Sequence, residues 1–321
     1  MQLCVFSPAL ADMSLDAALA YLKSQGVEAM ELGVGGYPGT AHADAKLLVK
    51  DPKARQKLLD TFKKHEINLV CLSVHGNCVH PNPEIAARFE ADYEAACELC
   101  GQLGVDHLVT FSGCPGDGKG DQPNWVTCTW PTEYRKVLDY QWNEVLIPYW
   151  QKAAKIAESG GVKYVALEMH PGFCVYNPDS LLRLRAAVGD IIGANLDPSH
   201  LIWQGMDIVS VIRYLGKAIH FFHAKDTELH PEVMNRTGVL ETKPFDKERD
   251  RAWLFRTVGH GMSEQKWKQI FGALRMEGYD YALSIEHEDS LMTPREGLES
   301  AIGFLKRNMI REKMEGELWW N

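Results

Sequence analysis

Four short segments carry residue types that hold metals and move protons: ALEMHPG at 166–172, NLDPSH at 195–200, FHAKD at 222–226 and SIEHED at 284–289. Each follows an apolar, β-rich run, so Glu168, Asp197, His223 and Glu286 all stand where a strand ends. A buried carboxylate at the end of a core strand is costly unless its charge is compensated. Taken singly, such a residue is more often a helix cap, a salt-bridge partner or a satisfied polar group. Repetition at the ends of four successive late strands points instead to one shared site. Three carboxylates and an imidazole converging without a cation repel and raise one another's pKa. A divalent metal ion resolves this. Three oxygen ligands and one nitrogen suit Mn²⁺ first, then Mg²⁺ or Co²⁺, with Zn²⁺ also compatible; a thiolate would favour zinc more clearly.

The elements that must position these residues are readable as alternating strands and helices. Strands are expected near 2–7, 28–33, 68–74, 106–111, 163–169, 191–197, 218–224 and 281–286, and helices near 14–25, 46–65, 84–103, 133–159, 178–188, 206–215, 263–277 and 295–310. Eight β-then-α units predict an α/β fold, a (β/α)8 TIM barrel with its site at the C-terminal face. An open doubly wound sheet is weaker, since no G-x-G-x-x-G follows the first strand. Residues 1–321 are expected to form one domain, because no Pro-, Gly- or Ser-rich linker interrupts them. Alternation along a strand puts Glu168 on the face of Ala166 and Tyr164, with Val165 and Leu167 turned to the helices. Two long strand-to-helix loops, 112–132 and 225–262, should overhang the site. Trp125 and Trp130 in the first suit a lid or substrate wall as well as a subunit interface, and Trp319 and Trp320 in the tail suit a subunit contact or packing on the barrel. A homo-oligomer is expected.

Composition narrows the function. The formal net charge is -9 with no basic block, which argues against nucleic acid as a partner. No apolar run reaches the ~18 residues needed to span a membrane, and MQLCVFSPAL reads as a first strand, not a signal peptide. The eight cysteines lack framework spacing, so reduced thiols in a cytoplasmic protein are expected. The lone C-x-x-C, Cys97 to Cys100, falls mid-helix with no second pair and reads as structural.

The order Glu, Asp-Pro-x-His, His-x-Lys-Asp and a terminal Glu on eight β/α units resembles the xylose-isomerase-like TIM-barrel superfamily, from CVFS to SIEHED. That group includes sugar isomerases, ketose 3-epimerases, inosose dehydratases and endonuclease IV. The resemblance implies that Glu168, Asp197, His223 and Glu286 are the metal ligands of an epimerase-type member, with Glu168 and Glu286 also the acid–base pair. It implies a substrate-oxygen contact for His200 and a substrate-binding role for Arg256 in FRTVGHG. Endonuclease IV binds three metals through many more histidines than stand here. HAKD lacks the Asp-x-Asp pair of two-metal aldose isomerases, so the one-metal branch fits better.

The implied chemistry is proton abstraction next to a metal-polarised carbonyl, through an ene-diolate, giving a keto-sugar isomerase or epimerase. A leaving group β to the carbonyl would make the same site an eliminating lyase, dehydratase or deglycosidase on a 3-keto sugar, keto-glycoside or inosose. A non-catalytic sugar-binding barrel is a further alternative; it predicts that replacing Glu286 leaves function intact. Other polar groups near strand ends are candidates for the pocket. His75 and Asn77 divide evenly between pocket and loop capping, and His170 favours substrate. Lys225 and Asp226 suit site stabilisation or substrate binding, and Glu31 suits orienting a Lys or Arg in the mouth. The Trp-bearing loops suggest a substrate larger than a monosaccharide, such as a glycoside carrying an oxidised sugar. No P-loop or basic trio marks a phosphate site.

Overall fold

The computed structural model describes residues 1–314, 316, 317 and 320; Trp319, in the tail discussed above, lies outside them. The barrel strands are β1 (Gln2–Phe6), β2 (Ala29–Gly33), β3 (Asn68–Ser73), β4 (His107–Phe111), β5 (Tyr164–Glu168), β6 (Ile192–Leu196), β7 (Ile219–Ala224) and β10 (Ala282–Ile285). All pair in parallel, and β1 joins both β2 and β10, so the sheet closes on itself. Around it run α1 (Leu15–Ser24), α2 (Ala45–Leu48), α3 (Pro52–His65), α4 (Pro83–Leu103), α5 (Thr132–Tyr140), α6 (Ile147–Ser159), α7 (Pro178–Val188), α8 (Pro198–Ile202), α9 (Ile208–Leu215), α10 (Pro231–Thr237), α11 (Glu264–Met276) and α12 (Pro294–Asn308). This is a (β/α)8 TIM barrel.

Two cores follow from strand alternation. Cys4, Ala29, Val70, Cys71, Val109, Ala166, Phe221 and Ala282 fill the barrel interior, whereas Val165 and Leu167 belong to the larger cluster between sheet and helices. Below the interior cluster, His107 stacks on Tyr281 at 4.1 Å and on Tyr164 at 4.5 Å, closing the N-terminal end with rings. At the opposite end the interior turns polar: Glu31, Ser73, His223 and Ser284 are fully buried.

Three elements differ from the sequence expectation for identifiable reasons. The helix expected over 46–65 is two, because Asp51 caps Lys53 and Ala54 and Pro52 opens a new helix. The helix expected over 133–159 passes through a π-helical stretch at Gln141–Leu146, just before Pro148, whose missing N–H and ring disturb the hydrogen-bond ladder. The loop expected over 225–262 contains α10 and an antiparallel pair, β8 (Asp226–Leu229) with β9 (Trp253–Arg256), which stands outside the barrel. No helix among the described residues is long and apolar enough to cross a membrane. All eight cysteines are free, including Cys97 and Cys100 on α4.

Candidate metal centre

Local sequence explains how each side chain reaches the mouth. In Asp197-Pro198-Ser199-His200, Asp197 is the N-cap of α8: Oδ1 accepts a 2.8 Å hydrogen bond from the Ser199 amide, and Pro198 starts the helix. That fixes the carboxylate with Oδ2 turned away from the cap, and the first turn brings His200 back to within 3.4 Å of it. Glu168 is the last residue of β5, and Glu286 follows the last residue of β10. One ligand atom from each of Glu168, Asp197, His223 and Glu286 lies within 4.8 Å of the others. Glu168 is also close to His170 and His200, a second grouping that shares its carboxylate.

Glu168 is the hub. His75 Nε2 and Asn195 Nδ2 each lie 3.1 Å from Oε2, and His200 Nε2 lies 3.0 Å from Oε1. His223 reaches two ways. Its Nε2 lies 2.9 Å and 3.1 Å from the two oxygens of Glu31, and its Nδ1 lies 3.1 Å from Glu286 and 3.3 Å from Glu168. Glu31 is itself held by the hydroxyls of Ser73 and Ser284, the latter at 2.6 Å. Glu31 therefore orients an imidazole, not the Lys or Arg expected from sequence. A carboxylate behind a histidine fixes the tautomer with Nδ1 facing the cluster.

Lys225 is the cation that the sequence argument for a metal left out. Its ammonium is fully buried, 2.7 Å from Glu286, 2.8 Å from Glu288 and 3.1 Å from Asp197 Oδ2. Charge compensation alone thus does not require a metal. The donor set still fits one, because Asp197 Oδ2 is buried and accepts no hydrogen bond. The contact with Lys225 lacks hydrogen-bond geometry. A buried carboxylate oxygen of this kind, beside two ionised carboxylates and an imidazole nitrogen, suits a divalent cation.

Electrostatics separates the groups. Burial alone would raise the Glu168 pKa, but hydrogen bonds from His200, His223 and His75 outweigh it and hold the carboxyl well below its ordinary range. Burial opposes the ionisation of Glu286 as well, and Lys225 and His223 together hold it far below the usual carboxylate value. Asp197 moves the other way, raised chiefly by burial. His170, pushed down to about 3 by burial and by His200, is neutral.

A cavity of about 180 Å³ opens over the cluster, and His75, Glu168, His170, His200, Lys225 and Glu286 line it. Arg256 does not line it: Asp289 Oδ2 lies 3.0 Å from Arg256 Nε, and Glu228 takes its Nη1. Asn77 caps a loop instead of facing the pocket, exchanging two hydrogen bonds with the Cys114 backbone. Asp226 ties down the segment 259–262 through backbone amides and holds the Trp267 indole at 2.8 Å. Trp125 borders a neighbouring chamber, while Trp130 is 77% exposed. Asn195 and the walls Phe6 and Phe111 escaped the sequence reading, and Glu288 stood there only within the segment SIEHED. For Asn195 the available signal was a polar residue in an otherwise apolar strand.

Residues 19–308 match the family model for xylose isomerase-like TIM barrels. The chain belongs to that family. The uncharacterised Bacillus subtilis protein YfiH is 36% identical over 312 residues, covering 96% of this chain and 99% of YfiH. Among solved structures, the IolI protein with a bound zinc atom superposes with a TM-score of 0.64 at 21% identity, covering 96% of each chain. The 3-keto-D-glucoside 4-epimerase YcjR from E. coli superposes with a TM-score of 0.65 at 13% identity, covering 96% of this chain and 99% of that one. These two likenesses are of fold.

Proposed function

We propose that the chain is a divalent-metal-dependent keto-sugar isomerase or epimerase. Glu168, Asp197, His223 and Glu286 hold the ion, and Glu168 and Glu286 move the protons. The observation that carries this is the convergence of those four side chains, with an Asp197 Oδ2 that is buried and accepts no hydrogen bond. The zinc-bearing IolI neighbour supports a metal, and the keto-glucoside epimerase neighbour supports the substrate class. The donor set favours Mn²⁺.

When bound, the ion polarises a sugar carbonyl and acidifies the adjacent C–H. The protein supplies the rest. Glu168 and Glu286 reach the same His223 nitrogen from separate strands, β5 and the end of β10. One takes the proton and the other returns one, to the opposite face or to a neighbouring carbon. Each such transfer group contributes about 10²–10⁴-fold. Neutral His170 meets substrate hydroxyls together with His200, and His75 and Lys225 keep the carboxylates ionised.

An eliminating lyase is the second reading. A chamber of about 550 Å³ that shares His170, His200 and Glu288 with the metal cavity leaves room for a departing group. Product analysis separates the two: a shifted stereocentre against lost water or aglycone.

The test is metal content by mass spectrometry for wild type, Asp197→Asn and Glu286→Gln after mild chelation and refilling. About one tightly held ion per chain is expected in the wild type and none in either variant. Refilled wild type should then exchange solvent deuterium into a keto sugar, with a loss of roughly 10²–10⁴-fold in Glu286→Gln. Folded wild type that takes up no ion would sink the metal mechanism.

A further inference from the structure

Beside the metal cavity lies a second chamber whose walls are aromatic. Trp203 and Trp253 stack with ring centroids 4.8 Å apart and planes 4° apart. Phe255 sits 5.1 Å from Trp253, and Phe245 stacks on Phe255 at 5.5 Å. With Val233 and Ala252, the rings of Trp203, Trp253 and Phe255 form an apolar cluster separate from both barrel cores. This cluster borders an open cavity, with Phe245 47% and Leu240 70% exposed at its edge. Exposed apolar side chains grouped around a concavity mark a binding surface.

Phe255 joins the two chambers. Its ring lies 4.8 Å from Lys225 Nζ and meets His200 edge-on at 5.1 Å. The metal cavity, at about 180 Å³, falls below the ~300–1,000 Å³ of typical small-molecule sites, whereas the aromatic chamber, at about 550 Å³, falls within that range. The first suits one sugar ring; the second suits what the ring carries.

The chamber's chemistry selects the occupant. A second sugar presents hydroxyls, each costly to bury without a partner. The acidic groups that would meet them are already engaged. Glu241 accepts from the amides of Thr242, Lys243 and Ala252 and from Lys243 Nζ, and Glu288 is held by Lys225. What remains is π-surface together with the unpaired indole N–H groups of Trp125 and Trp203, a combination that favours offset or edge contact with a flat ring carrying an acceptor oxygen.

We propose that the aromatic chamber is an aglycone subsite, so that the substrate is an aryl keto-glycoside. The keto-sugar ring occupies the metal cavity and a planar aromatic aglycone lies against Trp253 and Phe255. This assignment rests on the sugar reading of the metal centre.

Calorimetric titration with phenyl and methyl β-D-glucopyranoside, and with their 3-keto forms, tests it. The phenyl glycosides should bind roughly tenfold tighter than the methyl ones. That preference should collapse in Phe245→Ala and in Thr127→Trp, where an exposed residue of the chamber wall is enlarged to fill it. Circular dichroism checks that both variants are folded. Equal affinities, no binding of any phenyl glycoside, or a preference surviving in both folded variants overturns the subsite. Deuterium exchange into the 3-keto methyl glycoside is read separately. A phenyl preference without exchange supports the subsite and fails the metal mechanism, and exchange without the preference does the reverse.

Discussion

The two ends of β7 hold the same residue type in opposite states. His220, near the N-terminal end, packs edge-on against Tyr164 at 5.0 Å, and burial with nearby Arg185 pushes its pKa down to about 3. His223, near the mouth, is equally deprived of water, yet Glu31 and Glu286 raise its pKa well above the ordinary imidazole value. Burial acts alike on both; the neighbours decide the sign. The floor of the barrel spends its histidines on ring packing, with His107 and His220 among Tyr164 and Tyr281. The mouth surrounds His223 with carboxylates. A barrel of one construction thus has an end that seals with rings and an end that gathers charge.

Glu31 is where this contrast is broken with the largest effect. Its carboxylate is buried, accepts from Ser73 and Ser284, and aims His223. In Glu31→Gln one accepting oxygen is replaced by an NH₂ donor, so His223 loses part of its restraint. Partners of this kind typically account for 10–100-fold in metal affinity. Metal titration should show a weakening of about that size, with the fold retained by circular dichroism. An unchanged metal affinity would mean that His223 is held in place without Glu31.

The floor should respond in the opposite manner. Gly193 on β6 has no room for a side chain: an added Cβ would lie 2.4 Å from the His220 ring and 2.5 Å from the Ala218 carbonyl. Gly193→Ala should therefore overpack the barrel by about 1–3 kcal/mol, measured as a lower urea midpoint. Metal content per folded chain should not change. Loss of metal in this variant would show that floor and mouth are coupled along β6 and β7.

How much of this was legible in the sequence depends on the distance between partners along the chain. Each barrel strand announced itself locally, and so did the strand-end positions of Glu168, Asp197, His223 and Glu286. Pairings across the barrel did not. Glu31 on β2 meets His223 on β7, two strands that are not neighbours in the sheet, so only closure of the ring brings them together. Lys225 follows from alternation beside His223, but its ion pairs with Asp197 and Glu288 come from three different strand ends. The β8–β9 pair was hidden because residues 230–252, including α10, separate its strands and no tight-turn dipeptide joins them. For the same reason Trp203, Trp253 and Phe255 gave no sign of a common wall.

The smallest expected effect isolates capping from site chemistry. Asp197 and Asp207 do the same local work, each capping a helix through a side-chain oxygen: Asp197 for α8 and Asp207 for α9. Their environments differ as much as the two histidines do. Asp197 is buried with a raised pKa. Asp207 is 46% exposed, pairs with Lys266 and accepts from Ser210, and its pKa falls to about 2 from the ordinary 3.8. A folded-state pKa below the unfolded one gives stability that is present above 3.8 and lost as pH falls through about 2. Asp207→Ala should cost about 1 kcal/mol at neutral pH, the usual worth of a cap, since solvent screens the ion pair. Urea midpoints should show the wild-type advantage shrinking as pH falls from about 4 towards about 2. Metal binding should be unaffected, whereas Asp197→Asn, which also keeps a capping oxygen, should lose the ion. If both variants behaved alike, the cap and not the ligand would be the work that Asp197 does.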